Sequence, residues 1–347
     1  MTEQIQKGGI GSTNIQAQDI HIVNGLSYPE VRQVALDVFK SNFYELAGEA
    51  KNIAQSRAEE ITEQFLNKLK IENPSGFTKS QDPDFQHALY TVQKEFARNG
   101  DEDLGSLLVD LLVDRSKQEQ RDILQIVLNE SLAIAPKLPN NHLNVLAIVF
   151  LFRYTQNTKV NSIDALGNFL DQHVKPFVNY LPTSDASYQH LEFAGCATAS
   201  MGNISLEDIL GNIYQGLFMK GISREEIESS NLSIGFDSRF FIPCLNNKDL
   251  FQVAVVSNEV LKDTFEQFSI IDEDKRLVTE LFNKNKMSST EIKEKCIYSR
   301  PYMEEIFKVW STSPMKSLNL TSVGIAIGHA NIKRLVGKFS DLSIWIN

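Results

Sequence analysis

The sequence predicts a mainly α-helical protein, with a long N-terminal helix and a helical bundle followed by a mixed α+β C-terminal region that carries a short strand pair. Three observations lead to this class. Apolar residues recur at three- and four-residue intervals through most of the chain. Prolines and glycines gather between those stretches rather than inside them. A pair of strand-like apolar runs stands at residues 240–245 and 251–256, on either side of the polar turn 246–249, with Pro243 marking the first run as an edge. At 347 residues, 42% hydrophobic and 9% aromatic, the chain is long and apolar enough for two or three folded domains. The pattern divides it into a β-like N-terminal segment (1–25), an all-helical domain built on a long helix (26–158), a helical middle region (159–235) and an α+β C-terminal domain (236–347).

Residues 1–25 differ from everything after them. Gly8, Gly9 and Gly11 precede a Ser-Thr-Asn run, and Ile5, Ile10, Ile15 and Ile20 recur every five residues, with Ile22 close behind. That interval fits neither a helix nor a simple strand, and the segment is too small to bury its isoleucines alone. It is therefore expected to self-associate through Ile15, Ile20 and Ile22, with a disordered tail as the alternative. Residues 9–13 lack the lysine of a phosphate-binding loop, because Gly11 stands in its place.

Residues 28–71 are expected to form one helix. Ser27 can cap it, Pro29 sits in the first turn and Glu30 suits the positive helix end. Phe39, Phe43, Leu46, Ala50 and Ile53 form a four-three seam, with Val31 ahead of it; Ala54, Ala58, Ile61, Phe65 and Leu69 then take over one residue later. A helix of this length spans roughly 65 Å. That exceeds what a compact domain needs, so Phe39, Phe43, Leu46 and Ile53 are expected at a subunit or domain contact.

Asp82-Pro83 opens the next helix and Gly100 stops it. Leucine-rich helices follow at 103–115, 119–135 and 141–155, and Pro136 and Pro139 separate the last two. Asp110, Asp114 and Arg115 are expected on the polar, ion-paired surface of their helix. Pro176 should kink or end the helix over 163–180. The small-residue stretch FAGCATASMGNI at 193–204 allows close backbone approach, with packing as its expected use. Ser223 and Glu226 have the spacing of a capping box. The order of helices and strand over 273–335 bears a likeness to a winged helix, and residues 342–346 alternate like a strand.

Charge and chemistry narrow the function. A formal net charge of -10 argues against non-specific attraction to nucleic acid or anionic lipid. Lys333, Arg334 and Lys338 are the best candidates for a local basic face and are expected to be solvated helix positions. Cys196, Cys244 and Cys296 lie far apart, which suggests neither a disulfide framework nor a zinc knuckle. The first residues carry no signal peptide pattern, and the most apolar run, 143–152, is about half the length needed to span a bilayer, so a cytoplasmic protein is expected. None of the six histidines belongs to a recognisable metal motif. His190, Glu192 and Cys196 form the one local group of base, acid and nucleophile types, the basis of a hydrolase alternative. No cofactor is expected.

Several longer motifs carry a resemblance. GSTNIQA at 11–17 runs into GLSY at 25–28 and VRQVALDVFKSNF at 31–43; DLLVDRS and LNES follow at 110–116 and 128–131; the end reads LTSVGIAIGHANIKRLVG, then DLSIWIN. Over nearly its whole length the chain resembles an uncharacterised bacterial protein family, and the N-terminal tag is similar to short tags on modules associated with phage defence. The tag of those relatives often has the form G-D/H-N-S, from which Gly9-Ile10-Gly11-Ser12 departs. The resemblance transfers no catalytic residue. It implies a non-enzymatic oligomeric sensor or assembly component whose partners are further copies of itself and a second protein of the same system or a phage component. A nucleic-acid-binding regulator working through the C-terminal helices is the alternative, and peripheral membrane contact by residues 143–152 is a further one.

Overall fold

The computed structural model describes residues 27–42 and 48–347. Ile15, Ile20, Ile22, Phe43 and Leu46 lie outside them. Helices α1 (Tyr28–Asn42), α2 (Glu49–Glu72), α3 (Pro83–Asn99), α4 (Glu102–Ser116), α5 (Ile123–Ile134) and α6 (Asn140–Tyr154) form the N-terminal part of the chain. The single helix expected over 28–71 is therefore two. Gly48, just ahead of α2, has φ +59°, a left-handed backbone that a continuing α-helix cannot contain. α1 turns back to pack on α2 and α3. Val31 enters the main core, and Phe39 is buried beside Ala54, Ala58, Ala97 and Tyr90 of its own chain. Ile53 stays 45% exposed. The length argument for a partner thus falls away, while the face from Ala54 through Ala58, Ile61 and Phe65 to Leu69 is buried along α2 as its spacing predicts.

Local chemistry marks the helix ends. Asp82 caps α3, and Gly100, at φ +65°, closes it with its N–H donating to the Phe96 carbonyl. Asp84 in the first turn of α3 receives hydrogen bonds from Arg115 of α4 and from Gln125 and Asn129 of α5, tying the three helices together. Residues 143–152 all lie in α6, and all of them except Asn144 are buried. Among the described residues no helix is long and apolar enough to cross a membrane.

The chain continues through α7 (Ile163–Phe169), α8 (Asp185–Phe193), β1 (Ala197–Ala199), α9 (Leu206–Ile213), α10 (Arg224–Ser229), β2 (Phe241–Pro243), β3 (Phe251–Val253), α11 (Asn258–Gln267), α12 (Asp272–Asn283), α13 (Ser289–Ser299), α14 (Met303–Thr312), β4 (Leu318–Leu320) and α15 (Ser322–Val336). After α7 the helix loosens into a π turn over Leu170–Val174 and ends in a 3-10 turn holding Pro176, as that proline dictates. Ser223 and Glu226 form the reciprocal capping box.

The strand pair β2–β3 is antiparallel, with Phe241 opposite Val253 and Pro243 opposite Phe251. It belongs to a small core of its own, in which Phe240, Leu261, Phe265, Val278 and Phe282 pack between residues 222 and 282. β1 and β4 form a second antiparallel pair, Ala197 opposite Leu320 and Ala199 opposite Leu318. β4 thus pairs with a distant strand rather than forming the wing of a winged helix, and residues 342–344 form a 3-10 turn rather than a strand.

The larger core draws on both ends of the chain, from Val31 through Phe218 and again from Ile292 to Ile346, crossing position 158. α15 lies against α4, α5 and α6. Close approach requires glycine here: a Cβ on Gly324 would stand 1.9 Å from the Cys196 carbonyl oxygen. The small-residue stretch and the LTSVG motif therefore serve one packing contact. The final residues dock on α6, where the Trp345 indole donates to the Tyr154 carbonyl at 2.7 Å.

Candidate functional site

α4 is surrounded by α2, α3, α5 and α15, and its leucines and valines are buried on every side. The charged residues beyond its first turn consequently have little surface to occupy. Asp110 is 0%, Asp114 8% and Arg115 1% exposed, which corrects the expectation of a polar surface row. Asp110 and Asp114, one turn apart, meet lysines from two other helices. Lys68 of α2 lies 2.6 Å from Asp110. Lys333 of α15 lies 2.7 Å from Glu72, 3.1 Å from Asp114 and 3.7 Å from Asp110. Lys117 completes the group, 2.7 Å from Asp114 and 3.9 Å from Glu72. Three ammonium groups thus balance three carboxylates.

Burial and pairing compete at each member. Burial pushes the Asp110 carboxyl above its ordinary range, and Lys68 and Lys333 offset this only in part. Its Oδ2 accepts no hydrogen bond. Burial pulls Lys333 down, but Asp114, Glu72 and Asp110 outweigh it and hold the ammonium above the usual lysine range. Lys333 and Arg334, the latter 2.5 Å from Asp103, are therefore engaged within the fold and not free positions of a basic face.

A cavity of about 550 Å³ opens beside this network. Lys68, Glu72, Asp114, Lys117 and Lys333 form its charged side; Ile71, Leu124, Leu128 and Leu342 form an apolar one, and Lys338 to Asp341 cross its mouth. His329 of α15 also lines it and is 3% exposed. Its Nε2 lies 2.6 Å from the Ser340 carbonyl, which can only accept, so Nε2 carries the proton. Nδ1 is buried with no partner. Burial holds the ring below the usual histidine range, with the Ser340 carbonyl and Asp114 pulling the other way. In the neutral ring Nδ1 is a bare acceptor, and leaving such a group unpaired costs about 1–3 kcal/mol. Phe150, Phe339 and Trp345 surround the imidazole, with ring centroids 6.2, 5.5 and 5.9 Å away.

A second cavity, about 650 Å³, lies on the other side of Lys338, Phe339 and Ser340, with Tyr154, Phe169, His173 and Trp345 in its wall. The His173 ring stacks on Phe169 at 5.0 Å.

The sequence-nominated group is not brought together as a reactive site. The ring nitrogen of His190 faces His142, Nδ1 to Nδ1 at 3.4 Å. Cys196 is fully buried and its thiol is pushed up to about 12 by burial, so it holds its proton at neutral pH, whereas a nucleophile needs the thiolate. Glu192 is half-buried on α8. Among the described residues no group of histidine, cysteine, aspartate and glutamate could hold a metal ion. Lys68, Glu72 and His329 were the residues that sequence reasoning missed. The available signal was polar chemistry inside otherwise apolar helices, as in GHAN within α15.

The chain belongs to the protein family whose model matches residues 25–346 and whose description reads only ":-like", naming no activity. Comparison with curated proteins and with solved structures returns no match.

Proposed function

We propose that this member of the family is a cytoplasmic oligomeric sensor or assembly component in bacterial defence against phage, acting by binding rather than by catalysis. The observation that carries the binding part is the cavity beside the buried lysine–carboxylate network, with the His329 imidazole, whose Nδ1 has no partner, in its wall. Its volume falls in the range of small-molecule sites, and it combines an apolar side with a few convergent polar groups. The defence setting rests on the resemblance of the N-terminal tag and the C-terminal signature. Partners under this reading are further copies of the chain and a second protein of the system or a phage component.

The test is a phage challenge of bacteria expressing the protein with any neighbouring genes of its system, beside cells expressing Ile71→Trp. Ile71 is 81% exposed at the cavity rim, so tryptophan there can obstruct the opening without disturbing the core. The expected result is protection by the wild type and its loss in the variant at equal protein level. Equal protection by both would remove the cavity from the mechanism, and no protection by the wild type against a broad phage panel would remove the defence setting.

A further inference from the structure

The second cavity differs from the first in the charge of its wall. No aspartate or glutamate lines it, whereas Lys159 and Lys338 both do. Asp341, the carboxylate nearest to Lys338 in sequence, belongs to the wall of the first cavity and not of this one. Neither lysine has a carboxylate within ion-pair distance among the described residues. Lys159 stands on a turn that is tied to the fold. Its N–H donates to the Asn157 side chain at 3.0 Å, the Asn157 N–H donates to the Tyr214 hydroxyl at 3.0 Å, and Val160 beside it is buried. The Lys159 side chain itself is exposed. Aromatic rings make up much of the remaining wall. Phe169, His173, Phe339 and Trp345 follow one another as a strip, with successive ring centroids 5.0, 6.0 and 6.0 Å apart, and each is half-buried. Burial holds His173 below the usual histidine range, so at neutral pH it adds a ring to the strip rather than a charge.

We propose that this second cavity, separately from the first, binds a small planar aromatic anion, with its ring on the strip from Phe169 to Trp345 and its carboxylate or phosphate toward Lys159 and Lys338. An aromatic wall alone would also suit a cation, through the negative faces of its rings. The lysines decide against that, because a cation here would meet two ammonium groups and no aspartate or glutamate in the wall. An anion gains from the same arrangement, since neither lysine has an ion pair to give up. A planar ring is favoured because it covers the open parts of several rings at once, which a saturated, puckered skeleton cannot do. The cavity, about 650 Å³, is of the size that takes one such molecule.

The experiment is calorimetric titration of the 347-residue protein with naphthoate, indoleacetate, naphthyl phosphate and adenosine monophosphate. Each is run beside its uncharged amide or alcohol, and naphthoate also beside naphthylmethylamine and the ring-saturated decalin carboxylate. The expected result is binding by at least one of the four anions, about tenfold weaker binding by its uncharged or ring-saturated counterpart, and none by the amine. The carboxylate and phosphate arms identify which acidic group the site takes. Lys159→Gln, an exposed change, should weaken the anion several-fold and flatten its salt dependence. Phe169→Leu, which keeps an apolar side chain in place, should weaken it at an unchanged circular dichroism spectrum. Ile71→Trp, at the rim of the first cavity, should leave the affinity as it is. Equal binding of the uncharged counterparts, binding of the amine, an affinity unchanged in both Lys159→Gln and Phe169→Leu, or no binding by any of the four anions overturns the assignment. Loss of binding in Ile71→Trp overturns it as well and moves the ligand to the first cavity. The phage challenge with Ile71→Trp reads the first cavity alone, so failure of either reading leaves the other standing.

Discussion

Replacing Lys333 by methionine tests whether the buried charge network is a structural unit. Methionine keeps most of the lysine stem, so the change removes a charge rather than a packing element. It takes away the one cation that approaches all three carboxylates, at 2.7, 3.1 and 3.7 Å. Removing one partner of a buried ion pair costs about 3–5 kcal/mol, since the other is left uncompensated. The lower end applies here. Lys68 remains 2.6 Å from Asp110 and Lys117 remains 2.7 Å from Asp114, and the Glu72 side chain is 25% exposed and can turn to solvent. The expected loss is about 3 kcal/mol, or roughly a 1 M fall in the urea midpoint at a slope of about 3 kcal/mol per molar. Adding Asp110→Asn to Lys333→Met should recover about 1 kcal/mol, because it neutralises a carboxylate whose charge burial already disfavours. Urea unfolding followed by circular dichroism reads all four proteins of the cycle. A loss below about 1 kcal/mol for Lys333→Met, or a further loss on adding Asp110→Asn, would refute the account.

Four other outcomes are expected. His142, His173 and His329 are all held below the ordinary histidine range, chiefly by burial. Their contribution to stability is present above the unfolded value of about 6.5 and is lost as pH falls through their folded values, so the urea midpoint should drop between pH 7.5 and 5.5; an unchanged or higher midpoint would contradict this. The thiols of Cys196, Cys244 and Cys296 are buried, so a thiol-reactive dye should label the native protein slowly and all three cysteines in urea; fast native labelling of Cys196 would reopen the nucleophile reading. Gly324→Ala places a methyl against the Cys196 carbonyl and should cost about 3 kcal/mol or prevent folding, whereas a neutral effect in a melting experiment would show that α15 can shift outward. In light scattering, the 347-residue chain should assemble and a version starting at Leu26 should not; identical masses would remove residues 1–25 from the assembly.

Several elements were legible because their signals are local. Asp82-Pro83 and Gly100 bracket α3, Pro176 breaks the helix after α7, and the apolar runs on either side of the polar turn 246–249 give the β2–β3 pair. The buried face of α2 followed from spacing alone. The break at Gly48 was missed because an apolar period continues through it, and periodicity reports which face is apolar without reporting whether the axis continues. Asp110 and Asp114 were misplaced for a related reason. A carboxylate one turn from another implies a solvated face only if that face is uncovered, and α15, which covers it, begins at Ser322. The cavity was likewise out of reach, since Lys68, His329 and Ser340 belong to segments that only the tertiary fold joins. His190 and Cys196 illustrate the converse: neighbours in sequence, they are turned to different surroundings by α8 and β1.

The composite core also has a consequence for synthesis. Asp114 and the Lys333 that neutralises it are separated by 219 residues. At about 5–20 residues per second, a ribosome would emit the first roughly 10 to 40 s before the second. During that interval α4 has no α15 to cover it, and its leucine-rich surface stands open beside carboxylates that stay hydrated. Until Ser322–Val336 have been made, the helices that precede them are thus the ones most in need of a chaperone, and α15 is the element that shuts the bundle.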